Sequence, residues 1–173
     1  MDKSLADRIE ANRKEYERLL KDDNYTNVRF NPRNGALTAI HKEHNFDKTV
    51  GIFGIERGEY ERISLDVLYD YGHRVVFESE KPDNTQKHRR FEGFLDEKRF
   101  EIKSIEGTGK RNVEYKIYEA SGQDAEIVVL YYHDTSVFSK QRIDEGYKAY
   151  MRNSKSKRVN ALYYIVDNKL YKI

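Results

Sequence analysis

Three charged residues near the middle of the chain have types and spacing suited to chemistry on a phosphate ester: Glu92, Glu101 and Lys103. Successive side chains point to opposite faces of a β-strand, so Glu101 and Lys103 share a face. Carboxylate oxygens bind hard divalent cations, and a neighbouring lysine can orient an attacking water or offset the charge that develops on phosphate. These residues therefore indicate a magnesium-dependent phosphodiesterase, with Mg²⁺ or Mn²⁺ as its cofactor.

A hairpin predicted over residues 91–104 brings Glu92 to the face that carries Glu101 and Lys103. The sequence FEGFLDEKRFEIKS is typical of two short strands joined by a tight turn at residues 96–98. A two-residue turn sets Glu92 opposite either Glu101 or Lys103, and in both registers the three side chains share a face. The alternative is an ordinary amphipathic hairpin whose exposed Glu and Lys side chains make cross-strand pairs.

The segment 56–71 predicts a helix that carries a fourth candidate, Glu61. Leu65 and Leu68 follow Glu61 at helical spacing, and Gly72 is a suitable residue to end the helix. Glu61 therefore lies on or beside the apolar stripe of this helix instead of on its polar face.

Two histidines, His41 and His44, lie three residues apart in the segment LTAIHKEHNFDK. On a helix this spacing places both rings on one face, where they and Glu43 suggest a metal site or acid–base chemistry. The segment lacks the second half of a metal-binding motif. The alternative is a structural role, such as capping the neighbouring turn.

The rest of the chain predicts interleaved helices and strands. We expect a helix over 3–21, a strand over 73–80, a helix around 113–120, a buried strand over 125–132, a helix through 143–151 and a final hairpin over 161–173. Asp134, Thr135 and Ser136 are candidate N-cap residues for the last helix. Residues 22–35 add only a short extended piece at 27–30. This order predicts an α/β sandwich with a mixed sheet.

The amino-acid composition limits the classes of protein to which the chain can belong. The 173 residues suggest a single domain, and 14 Tyr and 8 Phe supply core volume. A net charge of +2 is too small to indicate nucleic-acid binding by itself, so a nucleic-acid-binding surface would need local clusters of basic residues. The absence of cysteine excludes disulfides and thiolate metal sites. Without a membrane-spanning stretch or signal peptide, a cytoplasmic protein or a domain of a longer chain is expected.

The predicted order of helix, three strands, helix and strand, with an acid on the first helix and Glu-x-Lys on the third strand, resembles the restriction-endonuclease-like fold of the PD-(D/E)xK nuclease superfamily. The resemblance covers residues 56–132 and implies an αβββαβ core with a mixed central sheet flanked by helices. Residues 1–50 would then be an N-terminal extension, and residues 133–173 would form a C-terminal helix and hairpin.

This resemblance implies a metal-dependent nuclease and assigns its site residues. Glu92 takes the position of the family's usual Asp, and Glu101 and Lys103 match the Glu-x-Lys signature. Glu61 comes from the first helix. The three acids would bind Mg²⁺ or Mn²⁺, and Lys103 would assist the attacking water.

The chain departs from the family pattern at the second strand. A Glu replaces the usual Asp at position 92, which lengthens the side chain by one methylene. The Pro-Asp pair at residues 82–83 and Glu78 on the preceding strand are alternative ligands.

The Glu-Gly-Phe-Leu-Asp hairpin that leads into Glu-Ile-Lys also looks like the nuclease domains at the C-termini of contact-dependent growth-inhibition (CdiA-type) toxins and related mobile-element proteins. Several members of that group cut tRNA. This narrower likeness implies a delivered toxin domain, a substrate that is RNA or DNA, and an immunity protein as its protein partner.

Two groups of basic residues are candidates for binding backbone phosphates. Lys87, Arg89 and Arg90 precede the hairpin, and Lys110 and Arg111 follow the third strand. The alternative for both groups is a solvated loop on a highly charged surface.

Two other functions remain as alternatives: a binding module without catalysis, and a metal-independent ribonuclease that uses His41, His44 or His88. A metal nuclease requires the three acids and Lys103 to converge on one cleft with room for a cation. A binding module would close those side chains into salt bridges without a cavity. The histidine mechanism requires two histidines at a common pocket.

Overall fold

The computed structural model describes residues 4–79 and 91–173, which form a mixed α/β fold. The helices of this part of the chain are α1 (Leu5–Leu20), α2 (Arg57–Asp70), α3 (Asn112–Gly122) and α4 (Lys140–Asn153). The strands are β1 (Tyr25–Phe30), β2 (Leu37–His41), β3 (Arg74–Phe77), β4 (Gly93–Leu95), β5 (Lys98–Ser104), β6 (Ile127–Tyr132), β7 (Ala161–Val166) and β8 (Lys169–Lys172).

The eight strands form one mixed sheet in which spatial order follows chain order. β2 is parallel to β3, and β5, β6 and β7 are parallel to one another. The remaining neighbours are antiparallel. Parallel neighbours need a crossover, and α2, α3 and α4 provide the three crossovers.

One face of the sheet is covered by α2. Tyr60 and Leu68 of this helix pack with Phe77, Phe100 and Val129, which point to that face from β3, β5 and β6. Gly72 follows the helix with a φ of 85°, a left-handed conformation that favours glycine at a helix C-terminus. The predicted helix and its end are therefore present.

The opposite face is covered by the other three helices. Ile117 of α3 and Ile143 of α4 pack with Val128 on β6, and Leu19 of α1 packs with Val76 on β3. β6 is buried along its whole length because both of its faces are covered. This confirms the expectation from its continuous apolar sequence.

The predicted hairpin turns at residues 96–97, whose φ angles are 50° and 70°. Two consecutive positive φ values give a two-residue turn whose twist matches that of the paired strands. Gly93 pairs with Phe100, so continuing this register sets Glu92 opposite Glu101. Of the two registers that the sequence allowed, this is the one that forms.

The segment before α2 differs from the sequence-based expectation. Two strands, β1 and β2, replace the single short extended piece, and they continue the sheet beyond β3. Asn27 has a φ of 52° at a break in the β1–β2 register, which interrupts the alternation that would reveal a strand. His41 ends β2 and His44 lies in the next loop, so the two rings do not share a helix face.

The last helix begins later than its predicted cap residues. The Ser139 hydroxyl accepts a hydrogen bond from the backbone N–H of Arg142 and caps α4. Asp134 instead caps a separate 3₁₀ turn, Thr135–Val137. The predicted capping chemistry is present, but one short turn intervenes.

The longest helix, α1, has 16 residues and lies against β1 and β2. Among residues 4–79 and 91–173, none of the helices has the length and apolar character needed to span a bilayer.

Candidate active site

At one end of the sheet, β5 extends beyond β3 and β4, which leaves a gap beside its last residues in the part of the chain that the structure describes. β4 pairs with only the first three residues of β5, and within the described residues Glu101–Ser104 pair with β6 alone. A cleft of about 280 Å³ lies at this gap. Its lining residues are Asp47, Arg57, Tyr60, Glu61, Glu92, Glu101, Ile102, Lys103, Ser104, Lys116 and Glu119.

The structure brings all four predicted catalytic residues to this cleft. Glu61 is 4% exposed, and Glu92 and Glu101 are each 1% exposed. The Lys103 ammonium lies 3.6 Å from a carboxylate oxygen of Glu101. Acids are rarely this deeply buried unless they are paired or bind a cation, so the group calls for a chemical explanation.

His44 lies beside two of these acids. Its Nε2 atom is 3.6 Å from Glu92 Oε1 and 3.9 Å from Glu61 Oε1. Ligand atoms of the three buried residues all lie within 4.8 Å of one another. Two ligands bound to a cation at about 2.1 Å lie roughly 3 to 4 Å apart, so the spacing fits a shared divalent metal ion.

The orientation of the His44 ring also fits a metal ligand. Its Nδ1 atom is 2.9 Å from the backbone carbonyl oxygen of Glu78. A carbonyl only accepts hydrogen bonds, so the proton lies on Nδ1, and in the neutral ring Nε2 presents a lone pair toward the carboxylates. Phe77 stacks on the ring and Phe46 contacts it edge-on, both with centroid distances of 4.7 Å.

The Glu61 carboxylate is held from its other side. Its Oε2 atom accepts a hydrogen bond of 3.0 Å from the backbone N–H of Asp47. The Asp47 carbonyl in turn accepts a bond of 2.7 Å from the N–H of Gly58, at the start of α2. Supporting contacts of this type fix the direction of a carboxylate ligand before a cation binds.

Glu101 lines the cleft, but among the described residues it is not in the close group formed by His44, Glu61 and Glu92. Its assignment as a third metal ligand stays a prediction. Its carboxylate contacts Lys103, whose ammonium also donates a 2.7 Å hydrogen bond to the Gln123 side chain. Lys103 lies 3.6 Å from Glu119 as well, so α3 helps to hold the ammonium in place.

Arg57 lines another part of the cleft and forms a second ion pair, with Glu106. The Arg57 guanidinium makes two hydrogen bonds to Glu106, at 2.8 and 3.2 Å, and a third to the Thr49 hydroxyl at 3.0 Å. Burial, and secondarily the charge of Glu106, raise the pKa of the neighbouring Tyr60 phenol above its ordinary value. Tyr60 therefore remains protonated at neutral pH.

The other sequence candidates do not line the cleft or lie outside the described residues. Both carboxylate oxygens of Glu78 are 2.8 Å from the Tyr25 hydroxyl, and these two residues line a different cavity. Lys110 and Arg111 are exposed at the start of α3, where Arg111 pairs with Glu114 at 3.1 Å. The basic residues Lys87, Arg89 and Arg90 lie outside the described residues, as do His88 and the Pro-Asp pair at 82–83.

The two histidines of the N-terminal segment have different roles. The Nδ1 atom of His41 accepts a 3.0 Å hydrogen bond from the backbone N–H of Glu43, as expected of a turn cap. His44 instead joins the buried group with Glu61 and Glu92. The sequence flagged both rings for metal binding but contained no local signal to separate them.

Comparison of the chain with protein-family models, with curated proteins and with solved structures found no match.

Proposed function

We propose that the protein is a metal-dependent nuclease that hydrolyses phosphodiester bonds in nucleic acid. The observation that carries this proposal is the convergence of the three predicted acids and Lys103 on one cleft with room for a cation. Glu61 lies on α2, Glu92 directly precedes β4, and the other two lie on β5, so local sequence alone does not bring them together. The order of α2, β3, β4, β5, α3 and β6 also supports a restriction-endonuclease-like core.

The group formed by His44, Glu61 and Glu92 is the proposed metal site. A divalent cation held there would lower the pKa of a bound water and offset the charge of the phosphate. A nitrogen ligand favours first-row transition cations over Mg²⁺, which prefers oxygen ligands and retains water. Of the two cations that the sequence indicated, we therefore favour Mn²⁺.

Glu101 and Lys103 act beside the metal ligands. The contacts of Lys103 with Gln123 and Glu101 fix its ammonium at the cleft, where it donates a hydrogen bond to the attacking water or to a phosphate oxygen. The Glu101 carboxylate can accept the proton that the water loses. Because both groups are positioned in advance, little reorganisation is needed during the reaction.

The lining of the cleft suits a phosphate group. Arg57 and Lys116 add two further cationic side chains to Lys103 beside five acidic ones, so the cleft would bind phosphate together with the divalent cation. Charge-assisted hydrogen bonds from such groups are the usual means of holding a nucleic-acid backbone, and they carry no base sequence information. The proposal therefore includes RNA, such as tRNA, and DNA as substrates.

A non-catalytic binding role is the second candidate, and the contacts of Lys103 favour it. The ammonium meets Glu101, Glu119 and Gln123, so neutralising buried acids is a sufficient reason for its presence. Under this alternative the cleft would bind an anionic partner without turnover.

A cleavage panel separates these candidates. Supercoiled plasmid, single-stranded DNA and total tRNA are each incubated with Mn²⁺, with Mg²⁺ and with EDTA. We expect cleavage that requires the metal, is lost in Glu101→Gln and is retained in Glu59→Gln. Glu59 is the control because it is an exposed acid on the same helix as Glu61.

Cleavage that persists in EDTA would contradict the metal mechanism. Equal cleavage by wild type and Glu101→Gln would contradict the assignment of the site. Metal binding and nucleic-acid binding without cleavage of any substrate would favour the binding role.

A further inference from the structure

Tyr60 lines the cleft but does not belong to the group formed by His44, Glu61 and Glu92. It lies in the first turn of α2, next to Glu61, and is 1% exposed. Its ring packs against Tyr131 and His133, with centroid distances of 4.9 and 5.1 Å. This packing fixes the position of the side chain in the cleft wall.

The hydroxyl group of Tyr60 is buried and has no hydrogen-bond partner within residues 4–79 and 91–173. A buried hydroxyl without a partner destabilises the folded protein relative to the unfolded chain, in which water satisfies it. Phenylalanine would fill almost the same space without this cost. Because Tyr60 also lines the cleft, its hydroxyl is placed to bind a group that fills the cleft.

The surroundings of Tyr60 indicate the kind of ligand. Three cationic side chains line the same cleft beside five acidic ones, so the cleft suits an anion once a divalent cation is held by Glu61 and Glu92. A neutral phenol donates one hydrogen bond, which suits an oxygen atom that carries negative charge. A phosphodiester has two such non-bridging oxygens.

We propose that the Tyr60 hydroxyl donates a hydrogen bond to a non-bridging oxygen of the substrate phosphodiester. This assignment rests on the proposed nuclease function and adds to it a substrate-binding residue. The hydrogen bond satisfies the hydroxyl only in the complex, so part of the binding free energy comes from relief of its burial in the free protein.

Ser64, one helical turn further along α2, provides an internal comparison. Its hydroxyl is also buried without a hydrogen-bond partner among the described residues, but it does not line the cleft. Tyr150 provides the opposite case. Its hydroxyl is 3.2 Å from the Ser121 hydroxyl and accepts a 3.1 Å bond from the N–H of Val159.

The test compares Tyr60→Phe, Ser64→Ala and Tyr150→Phe in two measurements. Thermal unfolding without ligand should show that Tyr60→Phe and Ser64→Ala are at least as stable as wild type. Tyr150→Phe should be less stable because it loses two hydrogen bonds.

Fluorescence anisotropy with labelled RNA and DNA 20-mers in CaCl₂ should show a Kd about tenfold higher for Tyr60→Phe than for wild type. This is the loss of affinity expected for a hydrogen bond to a charged oxygen. Ser64→Ala should bind like wild type.

The outcomes distinguish this inference from the proposed function. If wild type binds the oligonucleotides and Tyr60→Phe binds them equally well, the role of Tyr60 is wrong while the nuclease proposal stands. If wild type binds neither RNA nor DNA, the proposed function fails and the inference fails with it. A folded Tyr60→Phe variant with weakened binding, beside an unaffected Ser64→Ala, would support the inference.

Discussion

The proposed preference for Mn²⁺ over Mg²⁺ depends on a single residue, His44. Without this ring, Glu61 and Glu92 would offer only oxygen atoms, a set that suits Mg²⁺ as well as Mn²⁺. The hydrogen bond to the Glu78 carbonyl directs Nε2 toward both acids before a cation binds. Such preorganisation raises affinity because less conformational freedom is lost on binding.

We expect His44→Ala to weaken Mn²⁺ binding by at least about tenfold, since changes at or next to a ligand commonly cost 10- to 100-fold in affinity. Isothermal titration calorimetry of folded wild type and variant measures this effect. His41→Ala is the matched control, because His41 caps a turn and, among the described residues, does not belong to the group formed by His44, Glu61 and Glu92. Unchanged Mn²⁺ affinity in His44→Ala would exclude the ligand role.

The sequence predicted those site residues whose positions follow from strand alternation or helix periodicity. Glu101 and Lys103 share a strand face by alternation, and the periodicity of α2 placed Glu61 next to its apolar stripe. His44 could not be singled out in this way. Its supporting carbonyl, that of Glu78, lies 34 positions away and is brought near by the parallel pairing of β2 with β3.

Among the elements, the hairpin of β4 and β5 determines the site most directly, because its turn sets Glu92 opposite Glu101. Glu97 adopts a φ of 70° at this turn, a conformation that is costly for residues other than glycine. Its ion pair with Arg74, at 3.4 Å, is exposed and contributes little to stability.

We therefore expect Glu97→Gly to raise the free energy of unfolding by about 0.5 to 1 kcal/mol, because an Asp-Gly pair suits this two-residue turn. For a chain of this size, that corresponds to an increase in Tm of about 1 to 4 °C. Thermal unfolding measures the change. Glu97→Ala is the control, since it removes the same ion pair and keeps the strained backbone. A Glu97→Gly variant no more stable than Glu97→Ala would show that the turn is not strained.

Elements with long and regular patterns were predictable, whereas short ones were not. The continuous apolar sequence of β6 and the period of α2 identified both elements. β1 and β2 were missed because the first is broken at Asn27 and the second is buried at four consecutive residues, which leaves no alternation to detect. Both strands depend on pairing within the sheet more than on local preference.

Across the whole molecule, the site depends on the order of the strands in the sheet. β3 and β4 end where β5 continues, and the loop after β2 reaches the same end of the sheet with His44. The first turns of α2 approach this end from one face, and α3 supplies Glu119 and Lys116 to the same cleft. Composition and periodicity indicated a mixed α/β sheet. They contain no information on which strands extend beyond their neighbours at the end of the sheet where the cleft lies.

The arrangement also lowers the stability of the metal-free protein. Three deeply buried carboxylates gather at one cleft, and removing them from water has a desolvation cost. Lys103 offsets part of this cost beside Glu101. A cation bound by Glu61 and Glu92 would offset more of it, because ligand binding to the folded state adds to its stability.

Anomalous diffraction from crystals soaked in millimolar MnCl₂ tests the metal site most directly. The geometry predicts an anomalous peak in the cleft, about 2.2 Å from His44 Nε2 and from one carboxylate oxygen each of Glu61 and Glu92. Soaked crystals that show no peak in the cleft, or a peak only at surface acids, would contradict the proposed metal site.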